Sequence, residues 1–297
     1  MSSSAGTATT SRDTLGVVQS LVQLTKPGVT RLVIVTTFCG ALVAPGHIAP
    51  FRFLLALLGT VLVVAAANTF NMYLERDSDR AMERTRNRPL PSGRLAPEVA
   101  LWFGLALALI GLPLLSLCVN ALTGLLAAVA LVSYVLVYTP LKRITPYALH
   151  VGAVPGAIPP LIGWAAVTGS LDRRALLLFA ILFFWQLPHF LAIAIFRQRE
   201  YERAGLRVMP AARGLPSTKR AIVLHSLLLL AASLLPAFMG MAGPVYLVFI
   251  GALAGAFVGW GVYGLRKEAG PRWARSLFFA SLPYLVLVFG ALVVSAL

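Results

Sequence analysis

The sequence has little charge for its length. Of its 297 residues, only 12% are Asp, Glu, Lys or Arg, against about 25% in an ordinary soluble domain. Hydrophobic residues make up 59% of the chain, and its mean hydropathy is +0.84. A soluble protein this apolar could not cover its own surface with polar groups, so a cytosolic enzyme is excluded. The composition predicts a polytopic membrane protein.

Cysteine is also scarce, and the N-terminus lacks an apolar run. Cys39 and Cys118 both lie inside apolar segments, which excludes a disulfide framework and favours packing roles. The first residues are rich in Ser, Thr, Gly and Ala, without the basic and then apolar stretch that a signal peptide needs. We expect a disordered tail over 1–14 and a single domain over 15–297.

Nine apolar stretches are candidates for crossing a membrane, which takes about 20 mostly apolar residues per helix. They run roughly over 30–44, 51–74, 97–119, 121–138, 147–167, 175–196, 221–239, 245–265 and 273–296. The first is short, and the segment 15–26 before it is either an interfacial helix or an early extension of that crossing. The pattern predicts an all-α protein with nine transmembrane helices.

Positive charge is concentrated on one side of this arrangement. Of the 25 Lys and Arg residues, only Arg52, Arg173 and Arg174 fall on the side away from the N-terminus. The positive-inside rule then makes the N-terminus cytoplasmic and places the C-terminus on the far side. The excess charge sets the topology and binds anionic lipid, so no basic face is left for nucleic acid. Two long charged loops, 75–97 and 197–219, place the function on the cytoplasmic face.

A stripe of polar side chains ends the second predicted helix. Asn71, Glu75 and Asp79 are spaced i, i+4 and i+8, so they share one helix face, with Asn68 one turn earlier. Like charges at this spacing repel, and Mg²⁺ is typically held by one or two carboxylates plus phosphate oxygens. Neighbouring arginines suit the phosphates. Two alternatives stay open: a solvated helix end with mutual salt bridges, and a calcium loop over 75–79 that lacks its turn glycine.

The stripe resembles the first aspartate-rich motif of the intramembrane aromatic prenyltransferase (UbiA-type) superfamily, Asn-x-x-x-Asp-x-x-x-Asp, with Glu75 in place of an aspartate. Other blocks resemble one family within it, the protohaem IX farnesyltransferases or haem O synthases. These blocks are Lys26-Pro27, Arg84-Thr-Arg-Asn-Arg-Pro-Leu90, Tyr138-Thr-Pro-Leu-Lys-Arg143, Gly152 to Trp164, and Trp185-Gln-Leu-Pro-His-Phe190. The stretch from Arg199 to Pro210 resembles that family's second motif, with Glu200 where aspartate is usual.

The resemblance implies transfer of a farnesyl group from farnesyl diphosphate to a vinyl group of haem B, with addition of water, giving haem O. It implies Mg²⁺ as cofactor and an active site on the cytoplasmic face of the cell membrane. Because haem O serves terminal oxidases or becomes haem A, contact with haem A synthase or the terminal oxidase assembly is a further expectation. The alternative acceptors are a quinone precursor and a chlorophyll-type molecule. A secondary transporter is disfavoured, since His189 is the one ionisable side chain deep in a predicted span.

Carried over residue by residue, the resemblance yields three sets, of which the first two overlap. The expected catalytic residues are Asn71, Glu75, Asp79, Lys142 and Arg143. The expected metal ligands are Asn71, Glu75, Asp79 and Glu200. The expected substrate-binding residues are Arg86, Arg88, Trp185, His189 and Tyr201. Simpler alternatives stay open: Glu200 can pair with Arg197 or Arg203, and the basic residues can merely mark the cytoplasmic side.

His189 follows Pro188 within the sixth predicted span, and three interpretations of it remain open. It packs near the carbonyl of Phe184 that Pro188 leaves free, contacts the iron or a propionate of haem, or carries a proton. His150, at the cytoplasmic end of the fifth predicted span, is a further histidine that can face the substrate.

Overall fold

A computed structural model describes residues 16–296, and this part of the chain is helical, without a β-strand. The tail predicted at 1–14 lies outside the described residues. The helices are α1 (Gly16–Leu24), α2 (Pro27–Val43), α3 (Pro50–Arg80), α4 (Pro97–Val119), α5 (Ala121–Leu141), α6 (Ala148–Thr168), α7 (Arg173–Phe196), α8 (Gln198–Arg203), α9 (Met209–Arg213), α10 (Leu215–Phe238), α11 (Pro244–Tyr263) and α12 (Pro271–Ala296). The predicted all-α fold class is confirmed.

Eight helices of the described chain are individually long and apolar enough to cross a membrane: α3 to α7 and α10 to α12. A ninth crossing exists if α1 and α2, which meet at a bend of 48°, form one span. The predicted multi-pass architecture is therefore confirmed as eight or nine crossings within residues 16–296. The crossing predicted over 30–44 starts earlier, at Pro27, and ends at Val43.

The bend between α1 and α2 is fixed at Lys26. Its φ of 48° lies in the left-handed region, the one such value outside glycine among the described residues. The ring of Pro27 clashes with a helical conformation of the residue before it, which forces Lys26 out of the helix. Lys26 Nζ then donates to Asn71 Oδ1 at 2.6 Å. The bend thus turns the Lys26 side chain toward α3.

Helix α3 is longer than a bilayer is thick. Its 31 residues span about 46 Å at about 1.5 Å per residue, against about 30 Å of hydrocarbon. The sequence predicted a crossing that ends at 74, because the apolar pattern stops there. The helix continues to Arg80, as the i, i+4, i+8 spacing of the stripe predicts, and carries Glu75 and Asp79 beyond the apolar part of the span.

Helix α6 is the central element, since it belongs to both large clusters of buried side chains. One cluster joins it to α7, α10, α11 and α12, and the other joins it to α3, α4 and α5. It also meets α2 backbone to backbone: a Cβ on Gly163 would fall on the carbonyl oxygen of Thr37, and one on Gly40 on that of Pro160. Small residues at these points let the two helices touch.

The two charged loops fold over the same end of the bundle. In the first loop, Leu90 and Leu95 are buried together with Leu24 of α1 and Met72 of α3. In the second, the backbone N–H of Arg207 donates to the carbonyl of Lys142 at 2.9 Å. These contacts hold both loops against the ends of α3 and α5, where the stripe lies.

Candidate active site

A cavity of about 580 Å³ lies at this end of the bundle, beneath the two loops. Its charged lining residues are Lys26, Glu75, Asp79, Arg84, Arg88, Lys142, Arg197, Arg207 and Arg275. We call the part formed by Lys26, Asn71, Glu75, Asp79, Arg88 and Lys142 the polar end. We call the part formed by Phe190, Phe196, Phe278 and Phe279 the aromatic end.

Asn71 lies at the centre of the polar end, and both the nitrogen and the oxygen of its side-chain amide are hydrogen-bonded. Its Nδ2 donates to Glu75 Oε2 at 2.9 Å and to Thr139 Oγ1 at 3.1 Å, and its Oδ1 accepts from Lys26 Nζ. The first of these bonds confirms that Asn71 and Glu75 share a helix face. The amide therefore links α3, α5 and the bend between α1 and α2 at one point.

Glu75 and Lys142 form a buried ion pair across helices. Lys142 Nζ lies 2.6 Å from Glu75 Oε1, with side-chain exposures of 18% and 13%. Just before Lys142, the segment Ser133–Tyr138 forms a π-helical turn, a feature that is frequent at functional sites. Tyr138 from this turn lies under the Lys142 ammonium, 4.4 Å from its ring centre.

Asp79 is the most enclosed carboxylate of the stripe, with 1% exposure. The loop after α3 turns back so that Arg88 Nη1 lies 2.7 Å from Asp79 Oδ2, and Thr85 Oγ1 donates to the Asp79 carbonyl. The other carboxylate oxygen, Oδ1, is buried without a hydrogen-bond partner. A buried anionic oxygen without a partner is costly, so a cation bound at this carboxylate would stabilise it.

These contacts decide between the interpretations of the stripe. The pairs that hold Glu75 and Asp79 are buried and bring together distant parts of the chain, so the stripe is not a solvated helix end. The solvated pair is Asp77–Arg80, 3.9 Å apart with exposures of 68% and 62%. Because Asp77 points to solvent and the segment is helical, the calcium-loop alternative is wrong.

The polar end offers Mg²⁺ two carboxylates, those of Glu75 and Asp79, whereas the predicted ligand set also contains that of Glu200. Glu75 and Asp79 line the cavity, and Mg²⁺ commonly takes one or two carboxylates and completes its shell with phosphate oxygens and water. Glu200 does not join them: its Oε1 accepts from Arg197 Nη1 at 2.6 Å. Within residues 16–296 no three acidic, His or Cys side chains converge on one metal position. The structure thus shows the simpler pairing for Glu200 and does not bring together the predicted ligand set.

Other predicted residues also lie outside the cavity lining. Arg86 is exposed, whereas Arg84 and Arg88 on either side of it line the cavity. Arg143 donates from Nη2 to Ser78 Oγ of α3 at 2.6 Å, and neither residue lines the cavity. Trp185 is buried and donates from Nε1 to the Ser281 carbonyl. The structure therefore does not place Arg86, Arg143 or Trp185 where they would touch a molecule in the cavity.

His189 lies directly behind the aromatic end. Its ring stacks on Trp185 with centres 4.7 Å apart and packs against Phe190 and Phe278, both of which line the cavity. Its Nδ1 lies 2.7 Å from Ser281 Oγ. His150 does not line the cavity, and its Nε2 lies 3.3 Å from that of His225 on α10.

Tyr201 lines the cavity as predicted, and several lining residues were not predicted. Burial raises the pKa of the Tyr201 phenol, so this side chain stays a neutral hydrogen-bond donor at ordinary pH. The unpredicted lining residues are Lys26, Arg84, Tyr134, Tyr138, Gln186, Arg197, Arg207 and Arg275. Lys26, Arg84, Tyr138 and Gln186 lie within the sequence blocks that carry the family resemblance, which is the signal that could have identified them.

The comparison with known proteins agrees with this geometry. The model of the UbiA prenyltransferase family matches residues 32–282, and the chain belongs to that family. It is a membrane prenyltransferase. The chain is 60% identical over 247 residues to protoheme IX farnesyltransferase of Sorangium cellulosum, covering 83% of this chain and 88% of the relative. It is 50% identical over 276 residues to that of Myxococcus xanthus, covering 93% and 94%.

Solved structures share the fold at lower sequence identity. A digeranylgeranylglyceryl phosphate synthase has a TM-score of 0.80 at 20% identity, covering 94% of this chain and 98% of that one. A UbiA homologue from Archaeoglobus fulgidus bound to DMAPP and Mg²⁺ has a TM-score of 0.69 at 16% identity, covering 92% and 99%. These likenesses support the helical architecture.

Proposed function

We propose that this chain transfers a farnesyl group from farnesyl diphosphate to a vinyl group of haem B, with addition of water, giving haem O. The relatives at 60% and 50% identity support this substrate pair. The structural observation that carries the proposal is the buried Asp79 carboxylate, with its free Oδ1, beside the Glu75–Lys142 pair. This is a site for a metal-bound diphosphate at the edge of an apolar bundle.

The polar end recognises the diphosphate. Glu75 and Asp79 would hold Mg²⁺, which supplies neutralisation of the leaving group when bound. Lys26, Lys142 and Arg88 supply fixed positive charge, and charge already in place where a leaving group becomes more negative lowers the barrier. Asn71 keeps Lys26 and Glu75 in position through its two hydrogen bonds.

The farnesyl chain occupies an apolar pocket that adjoins the cavity. The two share Val29, Tyr134 and Gly156, and the pocket continues between α2, α3, α5 and α6 with side chains such as Val63 and Ile162. The allylic carbon–oxygen bond breaks as diphosphate leaves, and a haem vinyl carbon bonds to the allylic carbon. Water then adds to the resulting cation and loses a proton, which gives the hydroxyethylfarnesyl group. Apolar walls keep water away from the first cation.

The cavity opens at the end of the bundle that the charge distribution makes cytoplasmic. The active site therefore faces the cytoplasm, with the N-terminus on the same side and the C-terminus on the other. The family match over 32–282 lies within the single domain proposed for 15–297. Delivery of haem O by contact with haem A synthase or the terminal oxidase assembly is part of this proposal.

Expression in a host that lacks haem O formation tests the function. Chromatography of extracted haems should show haem O with the parent chain. Asp79→Asn should lower it about 100-fold or more, because it removes a charge from the leaving-group site. The matched control Asp77→Asn, on the same helix turn but exposed, should leave haem O unchanged. Haem O from Asp79→Asn at the parent level, or prenylation of a quinone precursor instead of haem, would contradict the proposal.

A further inference from the structure

The bond that breaks in the reaction lies where the cavity meets the apolar pocket. The allylic carbon of farnesyl diphosphate is joined to a diphosphate oxygen on one side and to the farnesyl chain on the other. It therefore lies at this junction, where Val29, Tyr134 and Gly156 line both the cavity and the pocket. Because Val29 and Gly156 have no polar side-chain atom, the hydroxyl of Tyr134 is the hydrogen-bonding side-chain group among these three residues.

Hydrogen bonds tie Tyr134 to the stripe that would hold the metal-bound diphosphate. Its carbonyl accepts from the backbone N–H of Thr139, and from Thr139 Oγ1 at 2.8 Å. The same Oγ1 accepts from Asn71 Nδ2, which also donates to Glu75. The ring of Tyr134 packs against that of Tyr138, with the two centres 5.4 Å apart. Tyr134 is thus held next to the polar end of the cavity.

The Tyr134 hydroxyl has hydrogen-bonding capacity that the protein does not use. It can donate once and accept twice, yet within residues 16–296 it has no hydrogen-bond partner. The side-chain atoms of the described chain that are both unpartnered and enclosed are Thr37 Oγ1, Asp79 Oδ1 and His150 Nδ1. The Tyr134 oxygen is not among them, so it is accessible from the open space that this residue lines.

The reaction needs a water molecule close to the allylic carbon. When a haem vinyl group bonds to that carbon through its outer carbon atom, the positive charge moves to the inner vinyl carbon, which then takes up water. An attacking water points a lone pair at the cation and donates its hydrogens to neighbouring acceptors. At the junction these acceptors are the Tyr134 oxygen and an oxygen of the departed diphosphate, and two polar partners suffice to hold an ordered water.

We propose that the Tyr134 hydroxyl holds the water molecule that adds to the haem-side cation. This rests on the proposed function. The lone pair of the water oxygen forms the new carbon–oxygen bond, and a proton of the water passes to the diphosphate that has left the allylic carbon. Tyr134 accepts a hydrogen bond from the water and stays neutral. Without the hydroxyl, the cation loses a proton from the adjacent carbon instead, which gives a farnesylated haem with a new double bond and no added water.

The products of Tyr134→Phe test this role, because the substitution removes the hydroxyl and keeps the ring. The purified full chain is incubated with haem B, farnesyl diphosphate and Mg²⁺, and mass spectrometry gives the ratio of unhydrated to hydrated farnesyl haem. We expect this ratio to rise about tenfold in Tyr134→Phe, as for the loss of one hydrogen bond to the attacking water. The ratio does not depend on the amount of folded protein, so a lower yield leaves it measurable.

Tyr138→Phe is the matched control, since Tyr138 lines the cavity but not the apolar pocket. Its product should stay hydrated, even if turnover falls. A parental product ratio in Tyr134→Phe, or an equal rise in both variants, would overturn the proposal. Folded Tyr134→Phe that forms no farnesylated haem would also overturn it, because the carbon–carbon bond does not need the water. No farnesylated haem from the parent chain would instead refute the proposed function.

Discussion

Replacing Lys142 with methionine separates the two tasks of the Glu75–Lys142 pair, stability and chemistry. The variant keeps the length of the side chain but leaves Glu75 without its cation, in a place where only 13% of the carboxylate side chain is exposed. Breaking a buried pair from one side costs about 3–5 kcal/mol, and we expect about 3 kcal/mol because Lys26 remains near. Thermal or denaturant unfolding in detergent measures this loss.

The double variant Glu75→Gln with Lys142→Met distinguishes a loss of stability from a loss of activity. It removes both charges while a glutamine oxygen can still accept from Asn71, so most of the lost stability should return. Activity should not return, because the double variant removes one of the two carboxylates that would hold the metal and one of the cations that would bind the diphosphate. The control Asp77→Asn removes the exposed pair with Arg80 and should cost no more than about 1 kcal/mol. A double variant as unstable as Lys142→Met, or one with parental turnover, would refute the reasoning.

Five further variants, at four positions, test other parts of the account. Glu75→Asp restores the family pattern and should keep or raise turnover, whereas Glu75→Ala should abolish it; a fully active alanine variant would show that the stripe does not hold the metal. Arg88→Gln should reduce turnover strongly because it frees the buried carboxylate it pairs with, whereas Arg86→Gln should be near neutral, and equal effects in a farnesyl diphosphate assay would argue against the cavity assignment. Gly163→Ala places a methyl group against the α2 backbone and should lower folded yield in detergent; an unchanged yield would contradict that helix contact.

Local patterns in the sequence predicted the helices and the polar stripe on α3. Asn71 and Glu75 share a face because helical spacing requires it, and their hydrogen bond follows directly. The apolar pattern ends the membrane crossing at 74, and the helical spacing of the stripe predicts that the helix itself continues to Asp79, in a segment held by Arg88 and Lys142. Tertiary contacts stabilise that last part of the helix.

Which basic residues face the cavity could not be predicted from position alone. Arginines at the edge of a membrane look alike in sequence, whether they bind substrate or lipid. Arg86 and Arg88 are two residues apart, yet the turn after α3 places Arg88 against Asp79 and leaves Arg86 exposed. Arg275 carries no local signal, because its place depends on how α12 packs beside α7.

The mass of the product formed in ¹⁸O-labelled water tests the central claim most directly. The purified chain is incubated with haem B, farnesyl diphosphate and Mg²⁺, and the extracted haems are analysed by mass spectrometry. The account predicts a haem that carries one farnesyl group and one ¹⁸O atom, and no such product from Asp79→Asn. Unchanged haem B with the parent chain, or a farnesylated haem without the label, would contradict it.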